Sequence, residues 1–221
     1  MNIARFVGGS LSLFVWVVAK VPVEVWAKTT TCSAAALFGN VELLQWLREH
    51  DCPWDEDSCN RAAAAGHLET LKWLRQHHCP WNSRTMAFAA YIGNIEILRW
   101  LLEQGAPWDA LVCAYAAISG ELEVLQWLRE HDCPWDADCC NAAAVSGHWD
   151  VLIWAREHGG EWNEGVCLLK AVAGGQLEVL QWMREHEGVW NERICQYAAE
   201  MGKPEVLQWA KDNSCPGAEN Y

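Results

Sequence analysis

Eleven cysteines and eight histidines are the residues of this 221-residue chain that could carry chemistry. Two cysteines could form a disulfide or contribute to a zinc site, and a cysteine beside a histidine could act as a nucleophile. Three of the cysteines directly follow a His-Asp or His-His pair: Cys52, Cys79 and Cys133. The spacing of all eleven decides which of these chemistries is plausible.

Ten of the cysteines occupy two positions of a pattern that recurs about every 27 residues. The first position holds Cys32, Cys59, Cys113, Cys140, Cys167 and Cys195, and the second, directly before a proline in most repeats, holds Cys52, Cys79, Cys133 and Cys215. Members of one position belong to successive helices, which pack ~8–10 Å apart. A disulfide needs Cα atoms within ~7 Å. We therefore expect buried thiols that pack as small apolar side chains, in a reducing compartment.

The histidines and cysteines do not form a recognisable metal or catalytic motif. No Cys-x2-Cys pair accompanies a second pair at zinc spacing, so neither a metal site nor a cofactor is predicted. A catalytic cysteine should differ from the others in its surroundings, and only Cys139, beside Cys140, departs from the two shared positions. The pattern favours a protein without enzymatic activity. The alternative is a thiol-based redox sensor or a cysteine-dependent enzyme built on a helical repeat, because cysteine is so abundant.

The tryptophans define the repeat that positions these residues. Trp46, Trp73, Trp100, Trp127, Trp154, Trp182 and Trp209 follow one another at intervals of 27, 27, 27, 27, 28 and 27 residues. Each of the first six is followed eight residues later by another tryptophan. A fixed period of this length indicates a stacked array whose units bury their apolar faces against their neighbours.

Each unit reads as two helices. The second tryptophan is followed by Asp or Asn, which caps a helix N-terminus, and the spacing predicts first helices (A helices) at 29–37, 56–64, 83–91, 110–118, 137–145, 164–173 and 192–200. Their small side chains, such as Cys59, Ala62 and Ala63, share one face and allow close packing. One extra residue near Leu168 and Leu169 predicts a bulge or an added half-turn in the sixth A helix.

The second helix of each unit (B helix) is amphipathic. After His67, the residues Leu71, Trp73 and Leu74 share an apolar arc, so the tryptophans are predicted to lie in the core. The helix should end at the Cys-Pro sequence, because proline lacks an amide hydrogen and disfavours helical geometry in the residue before it. Arginines two residues after each first tryptophan are expected on a solvated outer face with ion pairs between repeats.

The run Ala62 to Glu69 (Ala-Ala-Ala-Ala-Gly-His-Leu-Glu) resembles the Ala-Ala-x-x-Gly-His-x-Glu core of ankyrin repeats, and Leu101 to Ala106 resembles the end of their second helix. The resemblance covers residues 29–216 and implies an all-α solenoid of seven stacked helix-turn-helix repeats. Two features depart from the family: the period is shorter than the usual ~33 residues, and the Thr-Pro-Leu-His entry is missing. The missing residues fall between a B helix and the next A helix, so the β-hairpin fingers should be reduced to turns. A tetratricopeptide-like or other helix-pair repeat is the second interpretation.

Two segments lie outside the repeats. Residues 217–221 form a C-terminal tail, and residues 1–28 contain an apolar stretch, 6–19, too short for a confident membrane span, which needs roughly 20 residues. The N-terminal segment is interpreted as a degenerate capping helix, as a signal or anchor, or as an artefact of the gene model. A cytoplasmic location is expected, with a secretory or membrane-anchored one as the alternative. The sequence does not decide whether the array extends beyond residue 221.

The formal net charge of −13 bears on the partner. Nucleic acids and anionic membranes need a basic footprint, so neither is expected to bind the repeats, and membrane contact is expected only if residues 1–28 act as an anchor. The charge either keeps the chain in solution or favours a basic protein partner. A monomer is expected.

One face of the A helices varies between units, and the resemblance assigns it to binding. In ankyrin-like proteins the residues five and six positions after the cysteine position, together with the fingers, line a concave binding surface. Including the variable loops and some residues two positions after the cysteine position, the predicted protein-binding residues are Phe38, Asp57, Arg84, Phe88, Tyr91, Ile92, Tyr115, Ile118, Val145 and Met201.

Overall fold

Seven pairs of α-helices followed by a short 3-10 turn make up the part of the chain described by the computed structural model, residues 27–186 and 191–221. These residues contain no β-strand. The predictions for the apolar stretch 6–19 fall outside them. Across the same residues, no helix is both long enough and apolar enough to cross a membrane.

The helix boundaries follow the repeat. The A helices are α1 (Thr29–Leu37), α3 (Glu56–Ala64), α5 (Ser83–Tyr91), α7 (Ala110–Ser119), α9 (Ala137–Ser146), α11 (Glu164–Gly174) and α13 (Arg193–Glu200). The B helices are α2 (Val41–Glu49), α4 (Leu68–Gln76), α6 (Ile95–Glu103), α8 (Leu122–Glu130), α10 (Trp149–Glu157), α12 (Leu177–Glu185) and α14 (Pro204–Asp212). Every predicted A helix is confirmed to within one residue at each end.

The predicted N-caps begin these A helices. Asp55 accepts a hydrogen bond from the amide of Asp57 at 3.1 Å, and Asn82, Asp109, Asp136 and Asn191 cap their helices in the same way. Each bond satisfies one of the amides that a helix N-terminus leaves unpaired. In the sixth repeat the cap bond reaches one residue further, from Val166 to Asn163, and α11 has 11 residues where the other A helices have 8 to 10. The extra residue is therefore absorbed as the predicted added half-turn.

The chain divides into two compact units with the boundary between Val112 and Cys113, within α7. In the first unit the A helices α1, α3 and α5 pack side by side, and in the second α9, α11 and α13 do so. Their contact faces carry the small side chains that the sequence predicts, and Cys59, Ala62 and Ala63 are fully buried. In each unit the B helices pack against the A helices of their own repeats.

Six residues connect a B helix to the next A helix, as at 50–55 between α2 and α3. Asp51 has φ 55°, and the amide of Cys52 donates to the carbonyl of Leu47 at 2.9 Å, so the chain reverses in a turn at the helix end. The same left-handed residue recurs at His78 and Asp132. The five connections that are described in full, from α2–α3 to α10–α11, are turns without strands, as predicted for shortened fingers.

Candidate protein-binding surface

The exposed apolar side chains of the A helices lie at their C-terminal ends. The exposed fractions are 50% for Phe38, 45% for Tyr91, 39% for Ile118, 50% for Val145 and 48% for Met201. All five are among the ten predicted binding residues. Each stands within one residue of the end of its A helix, beside the fully buried residues that hold the helices together.

Three of the predicted residues are only half-buried rather than exposed: Phe88, Tyr115 and Ile92. Ile92 follows α5 and packs toward the preceding repeat, because a Cβ placed on Gly66 would lie 3.6 Å from its Cδ1 atom. Part of the surface of each of these side chains is covered by the rest of the protein, and part is exposed to solvent. They can contribute contact area but less of it than the five exposed residues.

The two charged candidates differ in their surroundings. The carboxylate of Asp57 accepts a hydrogen bond from Nε of Arg61 at 2.8 Å, and both side chains are about half exposed, at 47% and 48%. Such a pair contributes little to stability, but a basic partner would have to compete with Arg61 for this carboxylate. Arg84 is exposed in the first turn of α5.

The predicted residues are distributed over both compact units. Phe38, Asp57, Arg84, Phe88, Tyr91 and Ile92 belong to the first, and Tyr115, Ile118, Val145 and Met201 belong to the second. The predicted patch of Tyr91, Ile92 and Ile118 joins residues of both units. It stays a prediction, and each unit has to be tested separately.

The predicted burial of the B-helix tryptophans is confirmed for Trp127 and wrong for the others. Trp127 is 9% exposed, whereas the tryptophans of the neighbouring repeats, including Trp73 and Trp100, are half-buried. The fully buried residues of the B helices are instead leucines, such as Leu71 and Leu74. The indole rings cover this leucine layer from outside, where their large surface shields it and their ring nitrogens can still reach solvent.

A repeated stack of rings results. Trp73 meets Trp54 edge-on at 6.0 Å between ring centroids, and His77 stacks on Trp73 at 4.1 Å. Nδ1 of His77 lies 2.8 Å from the carbonyl oxygen of Trp73 and donates to it, because a carbonyl can only accept. The sequence placed these histidines at helix ends but did not predict the stacking, although the Trp-x3-His spacing of one helical turn was a visible signal.

The arginines complete this outer layer. The guanidinium of Arg75 lies 3.8 Å from the ring centroid of Trp81 and donates to the carbonyl oxygen of Cys79. Arg48 repeats both contacts, with Trp54 and Cys52. The expected ion pairs between repeats are wrong for these arginines: they cap the C-terminus of their own B helix and stack on the following tryptophan.

A groove of 280 Å³ lies on this outer side of the first unit. It is lined by Lys72, Arg75, Gln76, Trp81, Trp100 and Gln104. The lining combines indole rings with cations and amides, so it differs in chemistry from the apolar ends of the A helices. It is the second surface on which a partner could dock.

All eleven cysteines are buried thiols. Burial raises the pKa of Cys140 to about 11 and that of Cys167 to about 12, because a low-dielectric environment disfavours the thiolate. Among residues 27–186 and 191–221, no three or more His, Cys, Asp or Glu side chains are grouped so that they could hold a metal ion.

The comparisons with known proteins agree with this geometry. Residues 59–102 match the family model described as ankyrin repeats (many copies). The structure is similar to the crystal structure of the human ASB11 ankyrin repeat domain, with a TM-score of 0.56 and 16% sequence identity over 72% of this chain and 84% of that chain. No curated protein matches the sequence. The predicted all-α repeat solenoid is confirmed, and residues 59–102 are similar to ankyrin repeats.

Proposed function

We propose that the chain is a non-enzymatic scaffold that binds a protein partner through the concave face formed by the ends of its A helices. Ankyrin repeats generally mediate protein–protein interaction and are generally non-enzymatic. The observation that carries the proposal is the recurrence of exposed apolar side chains at one position, as at Tyr91, Ile118 and Val145, beside a buried and nearly invariant packing face.

The energetics favour these side chains as anchors. An apolar side chain that stays exposed in the folded chain loses contact with water when a partner covers it, at ~25 cal/mol per Å² of apolar surface. A few such residues dominate most interfaces, and truncating a true hot spot costs ~2 kcal/mol or more. Tyr91 has the ring and the polar hydroxyl that are typical of hot spots.

The proposal further specifies that the protein partner is basic. The net charge of −13 would steer a basic protein toward the chain, and the association rate would then fall as ionic strength rises. Measuring association at about 50 and about 300 mM salt separates this case from a largely apolar interface, whose rate depends only weakly on salt.

The experiment compares two sets of alanine substitutions, one in each unit. The chain with Tyr91→Ala, and separately the chain with Ile118→Ala and Val145→Ala, is used to capture partners from lysate with quantitative mass spectrometry. We expect the same captured protein to fall at least fivefold with either variant. Thermal unfolding should change little, because these side chains are 39–50% exposed.

The control lies on the outer side of the same repeat. Glu123 and Glu130 are exposed on α8, and replacing both with glutamine should leave capture unchanged. Arg129 is unsuitable as a control, because its guanidinium stacks on Trp135 and donates to the carbonyl of Cys133. Loss of capture in the glutamine variant alone would move the binding surface to the outer side of α8 and contradict the proposal.

A further inference from the structure

The two cysteine positions of a repeat meet in space. The sulfur of Cys32 lies 4.0 Å from the carbonyl oxygen of Cys52, and the sulfur of Cys52 lies 3.5 Å from the carbonyl oxygen of Lys28, four residues before Cys32. Cysteines of one position, in successive repeats, are expected to be too far apart for a disulfide. The two positions of a single repeat are a different case, because the helix A cysteine faces the turn that ends helix B.

The same contact recurs at a fixed separation. The sulfur of Cys79 lies 3.4 Å from the carbonyl oxygen of Asp55, and that of Cys215 lies 3.3 Å from the carbonyl oxygen of Asn191, in each case four residues before the first cysteine of the pair, Cys59 or Cys195. In all three pairs the partners are 20 residues apart in the sequence. Cys113 and Cys133 stand at the same separation in the fourth repeat, so the register predicts a fourth pair.

The fifth repeat gives an independent view of this geometry. Gly160 stands 20 residues after Cys140, and a Cβ placed on it would lie 3.3 Å from the Cys140 sulfur. In a disulfide, with its S–S bond of ~2.05 Å, the Cβ atom of one cysteine is about 3 Å from the sulfur of the other. The two positions are therefore spaced closely enough for a covalent bond.

We propose that Cys32–Cys52, Cys59–Cys79, Cys113–Cys133 and Cys195–Cys215 are oxidation sites at which a peroxide converts each apposed thiol pair into a disulfide within one repeat. Each bond ties the middle of an A helix to the turn after its B helix. Cys139, Cys140 and Cys167 have no cysteine 20 residues later, and they remain thiols.

The reaction balances with a peroxide as the oxidant. The thiolate of one cysteine attacks a peroxide oxygen, the O–O bond breaks, and the leaving oxygen takes up a proton, which leaves a sulfenic acid on that cysteine. The partner thiol loses its proton and attacks this sulfur, and the S–O bond breaks with release of water. Two thiols and one hydrogen peroxide thus give one disulfide and two waters.

An arginine lies beside the second cysteine of three of these pairs. The Nη1 atom of Arg48 lies 2.6 Å from the Cys52 carbonyl oxygen, and Arg75 and Arg129 donate in the same way to the carbonyls of Cys79 and Cys133. Because a nearby cation favours the thiolate, the second cysteine of each of these pairs is the attacking sulfur and the A-helix cysteine is the resolving one. All six side chains of these three pairs are 0% exposed, so the peroxide must enter during local opening and the reaction is slow.

The test uses the full reduced chain treated with hydrogen peroxide under native conditions. Remaining thiols are blocked, the chain is digested without reduction, and disulfide-linked peptides are mapped by mass spectrometry. We expect linked peptides containing Cys32 with Cys52, Cys59 with Cys79, Cys113 with Cys133 and Cys195 with Cys215. Cys140 and Cys167 should be recovered as blocked thiols.

Two variants keep the test independent of folding defects. Cys52→Ala removes one thiol, with Ala106 of the third repeat as a precedent at that position, and should leave Cys32 a thiol while the pair Cys59–Cys79 still forms. Met86→Cys combined with Ala106→Cys should create a new linked pair in a repeat that has none. Chains oxidised in urea provide the random reference. The proposal is overturned if native oxidation gives the same mixture of pairs as oxidation in urea, or gives only sulfinic and sulfonic acids.

Discussion

At the scale of single residues, the glycine that follows some of the A helices contacts a side chain from the next repeat. Gly120 has φ 78°, and a Cβ on it would lie 2.5 Å from Nδ1 of His148. Gly39 stands in the same relation to His67, at 3.0 Å. The two residues of the Gly-His motif therefore lie at different interfaces: the glycine contacts a side chain of the following repeat, and the histidine contacts the glycine of the preceding repeat.

This contact gives a prediction with a matched control. Gly175 ends α11 with φ 71°, and no atom lies within 4 Å of the point that an alanine methyl group would occupy there, so Gly175→Ala should cost only the left-handed strain of ~1–2 kcal/mol. Gly120→Ala should cost at least about 1 kcal/mol more, because His148 must also move. Urea denaturation of both variants measures the difference. Equal losses would show that the histidine moves away without penalty.

The buried thiols predict how stability depends on pH. The pKa of Cys140 is raised from 9.0 to about 11 by burial, so the folded chain holds this proton more tightly than the unfolded chain. The resulting stability is fully present below pH 9 and is lost as the pH rises through about 11. Between about pH 8 and 10.5, the reduced chain should lose about 2 kcal/mol more of its free energy of unfolding than the Cys140→Ala variant. If the free energy of unfolding fell equally with pH in the two chains, the raised pKa of Cys140 would be contradicted.

Residue roles were predictable where they depend on local sequence. The N-caps at Asp55 and Asn82 follow from side-chain chemistry at a helix start, and both are confirmed. The contact of Cys32 with Cys52 was not predicted, because the 19 intervening residues include a whole B helix whose path determines the distance. Likewise, periodicity places Trp73 on the apolar arc but does not determine what fraction of so large a ring stays exposed to solvent.

At the scale of the helices, the B helices α2, α4 and α8 end in a clip made by their own arginine. Arg75 donates to the carbonyl of Cys79, in the turn that follows α4, and its guanidinium plane covers Trp81 at the start of the next repeat. One side chain thus terminates a helix and connects it to its successor. Fourfold recurrence of the arginine–tryptophan contact, at Arg48, Arg75, Arg129 and Arg156, indicates a structural role.

The clip depends on the planar guanidinium, so lysine should not replace it. Arg75→Lys should lower the free energy of unfolding by about 1 kcal/mol, because an ammonium group cannot stack on Trp81 and donate to Cys79 in the same geometry. Arg99→Lys, at an exposed position of α6 in the same unit, is the control and should stay within about 0.5 kcal/mol of the parent chain. Urea titrations followed by tryptophan fluorescence measure the free energy of unfolding of both variants. A similar loss of this free energy in the two variants would contradict a stabilising role for the clip.

Helix positions were largely predictable from the sequence. The caps and the terminal glycines recur in every unit or nearly so, and the Cys-Pro sequence recurs in four of the seven, so the assignment made in one unit can be compared with the others. The added half-turn in α11 was also predicted, because a helix can absorb one residue while both of its ends stay anchored. The ring stack over the B helices was missed, since it depends on side-chain rotamers and not on periodicity.

At the scale of the whole chain, the constant residues build the repeats and the variable ones remain at the ends of the A helices. Leucines, alanines and cysteines fill the core of both compact units. The exposed apolar residues Phe38, Tyr91, Ile118, Val145 and Met201 do not contribute to that core, so stability alone does not explain them. This division is the basis for proposing a binding surface there.

The most direct measurement of that claim is site-specific photo-crosslinking in cells. A benzophenone amino acid is placed at position 91, 118 or 145 on the A helices, or at position 123 or 130 on the outer side of α8. The proposed concave-face binding predicts that the first three positions crosslink to the same protein and that positions 123 and 130 do not. Crosslinks from 123 and 130, with none from 91, 118 and 145, would contradict it.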